Sequence, residues 1–127
     1  MVISSAFAQQ QAATDLSLRG KWLVPGSKIS ESFTFNAGQD FVRNYTFTKK
    51  EGKQSETTSR QLEGAYTVGP SACSAGQEKG NLWIVQASER CCFNAYHMGK
   101  TLVLDEVRGS SIITMPLCAS RTLKRGG

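Results

Sequence analysis

Hydrophobic and polar residues alternate in short runs along most of this chain, and the clearest series lies in 81–118. Short runs rich in β-branched and aromatic residues that end at Gly or Ser are typical of β-strands joined by tight turns. Four such runs follow one another here, at 81–87, 92–98, 101–107 and 112–118. We expect the rest of the chain to be organised around this meander.

The residues outside the meander follow the same pattern. Further strands are predicted at 20–24, 28–36, 41–48, 55–60, 62–68 and 121–124. Residues 15–19 predict at most a helical turn, because no longer run has the helical period. The pattern therefore predicts an all-β fold, an up-and-down antiparallel β-barrel of about eight short strands, with a two-sheet β-sandwich as the alternative.

The length and charge of the chain narrow the classes of partner. A chain of 127 residues fits one domain, which we place at 15–127, preceded by a flexible tail at 1–14. The net charge is +5, but the Lys and Arg residues are scattered and form no basic stripe interleaved with aromatic residues. We therefore expect no nucleic-acid partner.

The first residues indicate a location outside the cytoplasm. Ala6-Phe7-Ala8 fits the small-x-small pattern of a signal-peptide cleavage site, so residues 1–14 are interpreted as a signal-peptide remnant and tail. No stretch of about 18 apolar residues is present, so no transmembrane segment is expected. A periplasmic or secreted location is predicted.

A short motif at the start of the first barrel strand resembles a known family. Gly20-Lys21-Trp22 resembles the Gly-x-Trp signature of lipocalin-like (calycin-type) barrels, and the strand order across 18–125 is similar to that of small bacterial secreted or periplasmic members. In that family the Trp closes the barrel floor under an Arg from near the last strand. The resemblance implies this structural role for Gly20, Trp22 and either Arg121 or Arg125, through a cation–π contact. Periplasmic metalloprotease inhibitors have a similar topology.

The meander also predicts which strand ends lie close together. If residue 87 faces 92, then 81 lies opposite 98. If the following turns are equally tight, 118 lies beside 101. The predicted register therefore places residue 118 near the end of the barrel where the loop 69–80 enters.

Four cysteines in a chain with a secretory signature predict disulfide bonds, and four allow three pairings. Cys91 and Cys92 are expected about 20 Å from Cys118, whereas a disulfide tolerates about 4–7 Å between Cα atoms. Cys73–Cys118 is therefore favoured, which leaves Cys91 and Cys92 for each other, for a partner, or as free thiols. A loop that crosses the barrel would instead let Cys73 reach Cys91 or Cys92.

Residues typical of catalysis and metal binding are sparse. The chain has one histidine, His97, and contains none of the common nucleophile, metalloprotease or phosphate-loop motifs. Adjacent strand residues point to opposite faces, so Cys91, Cys92 and His97 are not expected to share a metal ion. We expect no enzyme activity, no catalytic residue, no metal and no cofactor.

The barrel and its aromatic residues favour a binding protein. The leading hypothesis is a non-enzymatic, periplasmic or secreted protein that binds a small, partly apolar molecule in the barrel or at its mouth. The alternatives are a protein-binding module, such as an inhibitor of an extracellular protease, and a structural or redox-sensitive envelope protein that assembles through Cys91 and Cys92. A monomer is expected. The residues predicted to contact the ligand are Phe33, Phe35, Tyr45, Phe47, Tyr66 and Phe93.

Overall fold

A computed structural model describes residues 10–25, 29–73, 80–86, 89–108 and 117–126. The predicted signal-peptide cleavage site after Ala8 lies outside them. Among the described residues, β-strands account for nearly all regular structure. The elements are β1 Gln10–Ala12, α1 Asp15–Leu18, β2 Gly20–Val24, β3 Ile29–Phe35, β4 Asp40–Glu51, β5 Gln54–Val68, β6 Leu82–Gln86, β7 Glu89–Met98, β8 Thr101–Arg108 and β9 Arg121–Arg125.

Eight of these strands form a closed barrel. Each strand from β2 to β9 pairs antiparallel with the next one in the sequence, and β9 pairs with β2 to close the sheet. The predicted all-β, up-and-down antiparallel barrel is confirmed, and the β-sandwich alternative is wrong. The architecture is consistent with the lipocalin-like fold that the Gly-x-Trp resemblance implies.

Short elements cover one end of the barrel, which we call the lower end. The helix α1 immediately precedes β2 there, and Leu18 at its end is fully buried. The extra strand β1 pairs with the last residues of β7, from Gln10 opposite Met98 to Ala12 opposite Tyr96. The polar run at 9–14 carries no alternating pattern, so the position of β1 depends on this pairing rather than on local sequence.

At the opposite, upper end a hairpin projects from the barrel. The strands predicted separately at 55–60 and 62–68 form one strand, β5, which pairs with β4 from Gln54 to Ala65. The neighbouring strands stop earlier, because β3 reaches only Phe47 on β4 and β6 begins its pairing with β5 at Gly64. The polar composition of 55–60 therefore marks a solvent-exposed continuation of a strand.

The strand predicted at 112–118 is wrong at its last two residues. Residues 112–116 lie outside the described residues, and Leu117 and Cys118 form a bend rather than a strand. The strand that returns beside β8 is β9, with Leu104 opposite Arg121.

The predicted register of the first hairpin of the meander is wrong by four residues. Leu82 lies opposite Phe93, and Trp83 lies opposite Cys92. Because β6 has only five residues, this register places Cys92 near the beginning of β6, where the chain arrives from β5.

Both disulfide bonds therefore differ from the favoured pairing. Cys73 is bonded to Cys92 and Cys91 is bonded to Cys118, so the predicted Cys73–Cys118 bridge and Cys91–Cys92 pair are wrong. The alternative that Cys73 reaches Cys92 is confirmed. Cys118 lies just before β9, at the end of the barrel where β7 begins, which places it beside Cys91.

The two bonds leave opposite faces of β7, as the pleat of a strand requires for adjacent residues. Gly80 packs against the first bond, since a Cβ atom there would lie 2.2 Å from the Cys92 sulfur and 2.9 Å from the Cys73 sulfur. Glu89 accepts a hydrogen bond at 2.7 Å from the Leu117 N–H, which holds the segment next to Cys118 against β7.

The disulfide pairing is tested by removing one outer cysteine at a time. Cys118→Ser is expected to leave one thiol at Cys91, and Cys73→Ser is expected to leave one thiol at Cys92. Alkylation under non-reducing conditions, followed by tandem mass spectrometry of the 91–100 peptide, distinguishes the adjacent positions. A thiol at Cys73 in the Cys118→Ser variant would contradict the structure.

Candidate functional site

Trp22 forms the floor of the barrel at the lower end. It lies on β2 with only 2% of its surface exposed, and its indole Nε1–H donates a hydrogen bond to the Leu18 carbonyl oxygen at 2.8 Å. This bond satisfies the polar atom of a buried indole and also gives a donor to a carbonyl group at the end of α1, where carbonyl groups lack helical partners. Trp22 thus joins α1 to the barrel.

Arg125 is the arginine that covers Trp22. Its guanidinium carbon lies 4.1 Å from the centre of the Trp22 ring, and its nitrogens donate to the carbonyl oxygens of Arg19 and Ser17. Of the two arginines that the resemblance offers for this position, Arg121 instead lies inside the upper half of the barrel. Arg125 also pairs with Trp22 through the backbone, so the last strand closes the barrel and covers its floor.

Gly20 leaves room for Arg125. Its φ of +111° is a conformation that L side chains rarely adopt, and a Cβ atom there would lie 2.7 Å from an Arg125 guanidinium nitrogen. The Gly-x-Trp spacing therefore has two local reasons, the backbone conformation at Gly20 and the close approach of the arginine.

A cleft of about 800 Å³ lies at this lower end. Its lining contains three cationic side chains and no carboxylate. The half-buried His97 and the buried Trp22 form an aromatic base, with ring centres 5.7 Å apart. The nine lining residues are Gln11, Ser17, Trp22, His97, Gly99, Lys100, Thr101, Lys124 and Arg125. A cleft of this composition suits an anion with an apolar part.

His97 is held in the cleft by Ser17. The His97 Nε2 atom lies 2.8 Å from the Ser17 hydroxyl oxygen. Burial, and then the positive charge of Arg125, lower the pKa of His97 below its usual value, so the imidazole is neutral at pH 7. Ser17 also belongs to the capping box of α1, where its hydroxyl oxygen accepts the Thr14 N–H at 2.7 Å. No carboxylate among the described residues hydrogen-bonds His97, so this pair lacks the third member of a catalytic triad.

The predicted ligand contacts Phe33, Phe35, Tyr66 and Phe93 lie in the core of the barrel. Each is at most 1% exposed. Phe35 contacts the Tyr66 ring edge-on at a centroid distance of 5.0 Å, and Phe33 lies 6.5 Å from Phe35. Aromatic side chains thus fill this part of the interior, and a ligand contact by these four residues stays a prediction.

Tyr66 is also fixed by its hydroxyl group. Its single hydrogen is shared between two acceptors, the Asn36 carbonyl oxygen at 2.9 Å and the Asp15 carboxylate at 3.0 Å. Burial, and then the hydrogen bond to Asp15, raise the pKa of Tyr66 to about 12. The phenol therefore acts as a structural link between α1 and the barrel wall.

The other two predicted ligand contacts, Tyr45 and Phe47, lie toward the upper end. Tyr45 is 8% exposed and Phe47 is partly exposed, and their rings stack with centres 6.2 Å apart. The Arg43 guanidinium lies 4.7 Å from the Tyr45 ring centre. Of the six predicted contacts, Phe47 is thus partly exposed and Tyr45 is buried.

Three charged side chains occupy the upper interior. Glu31 accepts from the Arg43 Nε at 2.6 Å and from the Arg121 Nε at 2.7 Å, and the three side chains are 1–8% exposed. Burial lowers the pKa of Arg121, while the hydrogen bond and charge of Glu31 oppose that change. A buried carboxylate between two guanidinium groups is a costly arrangement that is stable only when every member is bonded. Arg43 and Glu31 each follow the inward-facing pattern of their strand, but sequence analysis did not pair them.

Among the described residues, the buried side-chain oxygen of Gln86 has no hydrogen-bond donor. Gln86 is 1% exposed, and its amide nitrogen donates to the Leu62 carbonyl oxygen at 3.2 Å. Its Oε1 has no hydrogen-bond partner within the described part of the chain. A buried amide oxygen of this kind is usually satisfied by an internal water or a ligand.

Metal-binding geometry occurs once among the described residues, at Glu89, Cys91 and Cys118. Both sulfurs are used in the Cys91–Cys118 disulfide and are not thiolate ligands, so this group carries no metal site.

Among the described residues, no helix is long and apolar enough to cross a membrane.

Sequence reasoning missed the lower cleft because its residues come from four separate segments. Ser17, His97 and Lys100 have no common motif, and β1 supplies Gln11 only through its pairing with β7. The available signal was the Gly-x-Trp motif, which located Trp22 but not the cations around it.

Comparisons of the chain with protein-family models, with curated proteins and with solved structures give no match.

The closure of the barrel floor predicts that Gly20 tolerates substitution poorly. Gly20→Ala is expected to lower the free energy of unfolding by about 2–3 kcal/mol, because the alanine is strained and displaces Arg125. Gly52→Ala is the matched control, with a positive φ of +63° but nothing within 4 Å of the added carbon, and is expected to cost about 1 kcal/mol. Chemical denaturation measures both. Equal losses would contradict the role of the Arg125 contact.

The charged cluster predicts a large effect at Glu31. Glu31→Gln leaves two buried guanidinium groups without their carboxylate and is expected to cost about 3–5 kcal/mol in free energy of unfolding. Glu51→Gln, at an exposed ion pair with Lys49, is expected to change stability by less than about 0.5 kcal/mol. Urea denaturation of the two variants is the measurement, and a small effect at Glu31 would show that the cluster is hydrated.

Proposed function

We propose that this chain is a non-enzymatic, lipocalin-like binding protein of the periplasm or the extracellular space, and that its ligand is a small, partly apolar anion. The observation that carries the proposal is the lower cleft, where Lys100, Lys124 and Arg125 surround an aromatic base and no carboxylate lines the wall. The two disulfides support the location, because such bonds persist in oxidising compartments.

The position of the cleft fits the packing of the barrel. The core aromatic residues occupy the lower interior, so a ligand at this end binds against the barrel rather than deep within it. Lys100 and Lys124 are exposed; Lys100 lies in the turn between β7 and β8, and Lys124 on β9 lies opposite Thr101. An anionic group can approach both ammonium groups while its apolar part rests on the imidazole and the lysine stems.

The alternatives from the sequence have less support. Cys91 and Cys92 are each bonded within the chain, so assembly through them requires a disulfide to open first. Inhibition of a protease stays a prediction, since no contact among the described residues bears on it.

The proposal is tested with two fluorescent probes that share one aromatic body. 8-Anilinonaphthalene-1-sulfonate carries a sulfonate, and N-phenyl-1-naphthylamine is its neutral counterpart. The protein is expected to bind the sulfonate and to bind the neutral probe more weakly. Lys100→Glu/Lys124→Glu is expected to weaken sulfonate binding about tenfold, because two favourable charges become unfavourable.

The control variant is Lys50→Glu, which reverses one lysine charge on the exposed outer face of the hairpin at the other end of the barrel and is compared with Lys100→Glu and Lys124→Glu made singly. It is expected to leave binding of the sulfonate probe unchanged. Lowering the pH below the pKa of His97, which burial and Arg125 hold under the usual imidazole value, is expected to strengthen binding because His97 then adds a positive charge, and His97→Gln removes this pH dependence. Equal binding of both probes, unaffected by the lysine variants, would contradict the proposal.

A further inference from the structure

The projecting hairpin has an unpaired edge. On one side β5 pairs with β4 from its first residue, Gln54, to Ala65. On the other side, its pairing with β6 covers only Gly64 to Val68. Within the described ranges, no strand pairs with residues 54–63 on that second side. An exposed strand edge of this length is a template for another strand.

The register identifies which backbone groups are free at this edge. Asn36 donates its N–H to the Asp40 carbonyl oxygen at 2.8 Å, so even-numbered residues of β4 face β3 and odd-numbered ones face β5. Phe41 lies opposite Gly64, so the partners of those odd-numbered residues are the even-numbered residues of β5.

The odd-numbered residues of β5 therefore direct their N–H and C=O groups away from β4. The Gly69 N–H agrees with this assignment, because it donates to the Asn81 carbonyl oxygen on the β6 side. The free groups along the projecting part belong to Ser55, Thr57, Ser59 and Gln61.

Charges of opposite sign alternate along the same edge. Glu56 and Arg60 are exposed, share one face of β5, and make no ion pair with any described residue. They lie about 13 Å apart along the strand, which is too far for them to pair with each other. Charged edge residues usually prevent strand pairing, but opposite charges four residues apart can be complementary to a second copy of the same edge.

We propose that the edge of β5 at 54–62 pairs antiparallel with the same edge of a second copy of this chain, with Thr58 on the twofold axis. In this register Glu56 of each copy lies opposite Arg60 of the other. Lys53 of each copy likewise lies opposite Glu63 of the other. The interface is isologous, as a closed dimer requires.

The backbone and the length of the edge support this register. Thr57 lies opposite Ser59, and Ser55 lies opposite Gln61, so the free groups face each other and form about eight hydrogen bonds. Pairing ends before Gly64, where β6 already occupies the edge.

Neighbouring registers lack the charge complementarity. With Ser59 on the axis, Glu56 would lie opposite Leu62 and Arg60 opposite Thr58. With Thr57 on the axis, Glu56 would lie opposite Thr58 and Arg60 opposite Gln54. The Thr58 axis is thus selected by the order of charges in the strand. The dimer departs from the monomer expected from the sequence, and it leaves the lower cleft uncovered.

The test is sedimentation velocity over a wide range of protein concentration at low and high salt. The native chain is expected to show a reversible monomer–dimer equilibrium that weakens as salt increases. Glu56→Arg and Arg60→Glu each place like charges together at two positions and are expected to raise the dimer dissociation constant about tenfold. Lys50→Glu, on the other strand of the hairpin, is the matched control and is expected to leave it unchanged.

Charge exchange makes the test specific for this register. The double variant Glu56→Arg/Arg60→Glu restores opposite charges and is expected to dimerise like the native chain. An equimolar mixture of the two single variants is expected to form a heterodimer, because one copy then carries both arginines and the other both glutamates. A native chain that stays monomeric at every concentration overturns the proposal, and so does a dimer that is indifferent to these substitutions. Binding of an extended peptide by such a monomer would assign the edge to a different partner and overturn it equally.

Discussion

The contact between Arg125, Trp22 and the end of α1 is the constraint on which the closed barrel depends. The backbone seam between β2 and β9 is short, with Trp22 opposite Arg125 and Leu23 opposite Lys124. The same two side chains, Trp22 and Arg125, stack on each other and bind the carbonyl groups of residues 17–19. A single cluster therefore closes the sheet, covers the floor and anchors the helix that precedes the barrel.

The interior of the barrel is divided into two regions. The lower region is filled by buried aromatic side chains, and Tyr66 contributes its hydroxyl group to the wall near α1. The upper region contains Glu31 between two arginines, which is an arrangement that costs desolvation and is retained only with complete bonding. The aromatic packing of the lower interior is consistent with the lower cleft lying outside the barrel, against its floor.

The sequence predicted what depends on local pattern and missed what depends on register. The alternation of hydrophobic and polar residues predicted the strands and the inward-facing row that contains Phe33 and Phe35. The motif Gly20-Lys21-Trp22 predicted the floor of the barrel. The polar residues of 55–60 did not predict one long strand. Both faces of a projecting hairpin are exposed to solvent, so hydrophobic and polar side chains do not alternate along it. The disulfide pairing was wrong for a related reason: the assumed connection at 88–91 is longer than the one between Gln86 and Glu89, and this difference moved the register by four residues. The partners of Glu31 and the lining of the lower cleft come from distant segments that carry no shared motif.

The adjacency of Cys91 and Cys92 has a consequence for the order of oxidation during synthesis. Cys73 precedes both and Cys118 follows both, so Cys73 and the two adjacent cysteines are synthesised before Cys118. At that stage the chain must distinguish two neighbouring sulfurs, and only the pleat of β7, which directs them to opposite faces, separates them. A bond from Cys73 to Cys91 would leave Cys118 only Cys92 as a partner, and the Cys92 sulfur lies on the opposite face of β7. The pairing of the sulfurs therefore depends on the pleat and register of the β6–β7 hairpin, so the sequence specifies the two bonds through its strands rather than through the spacing of its cysteines.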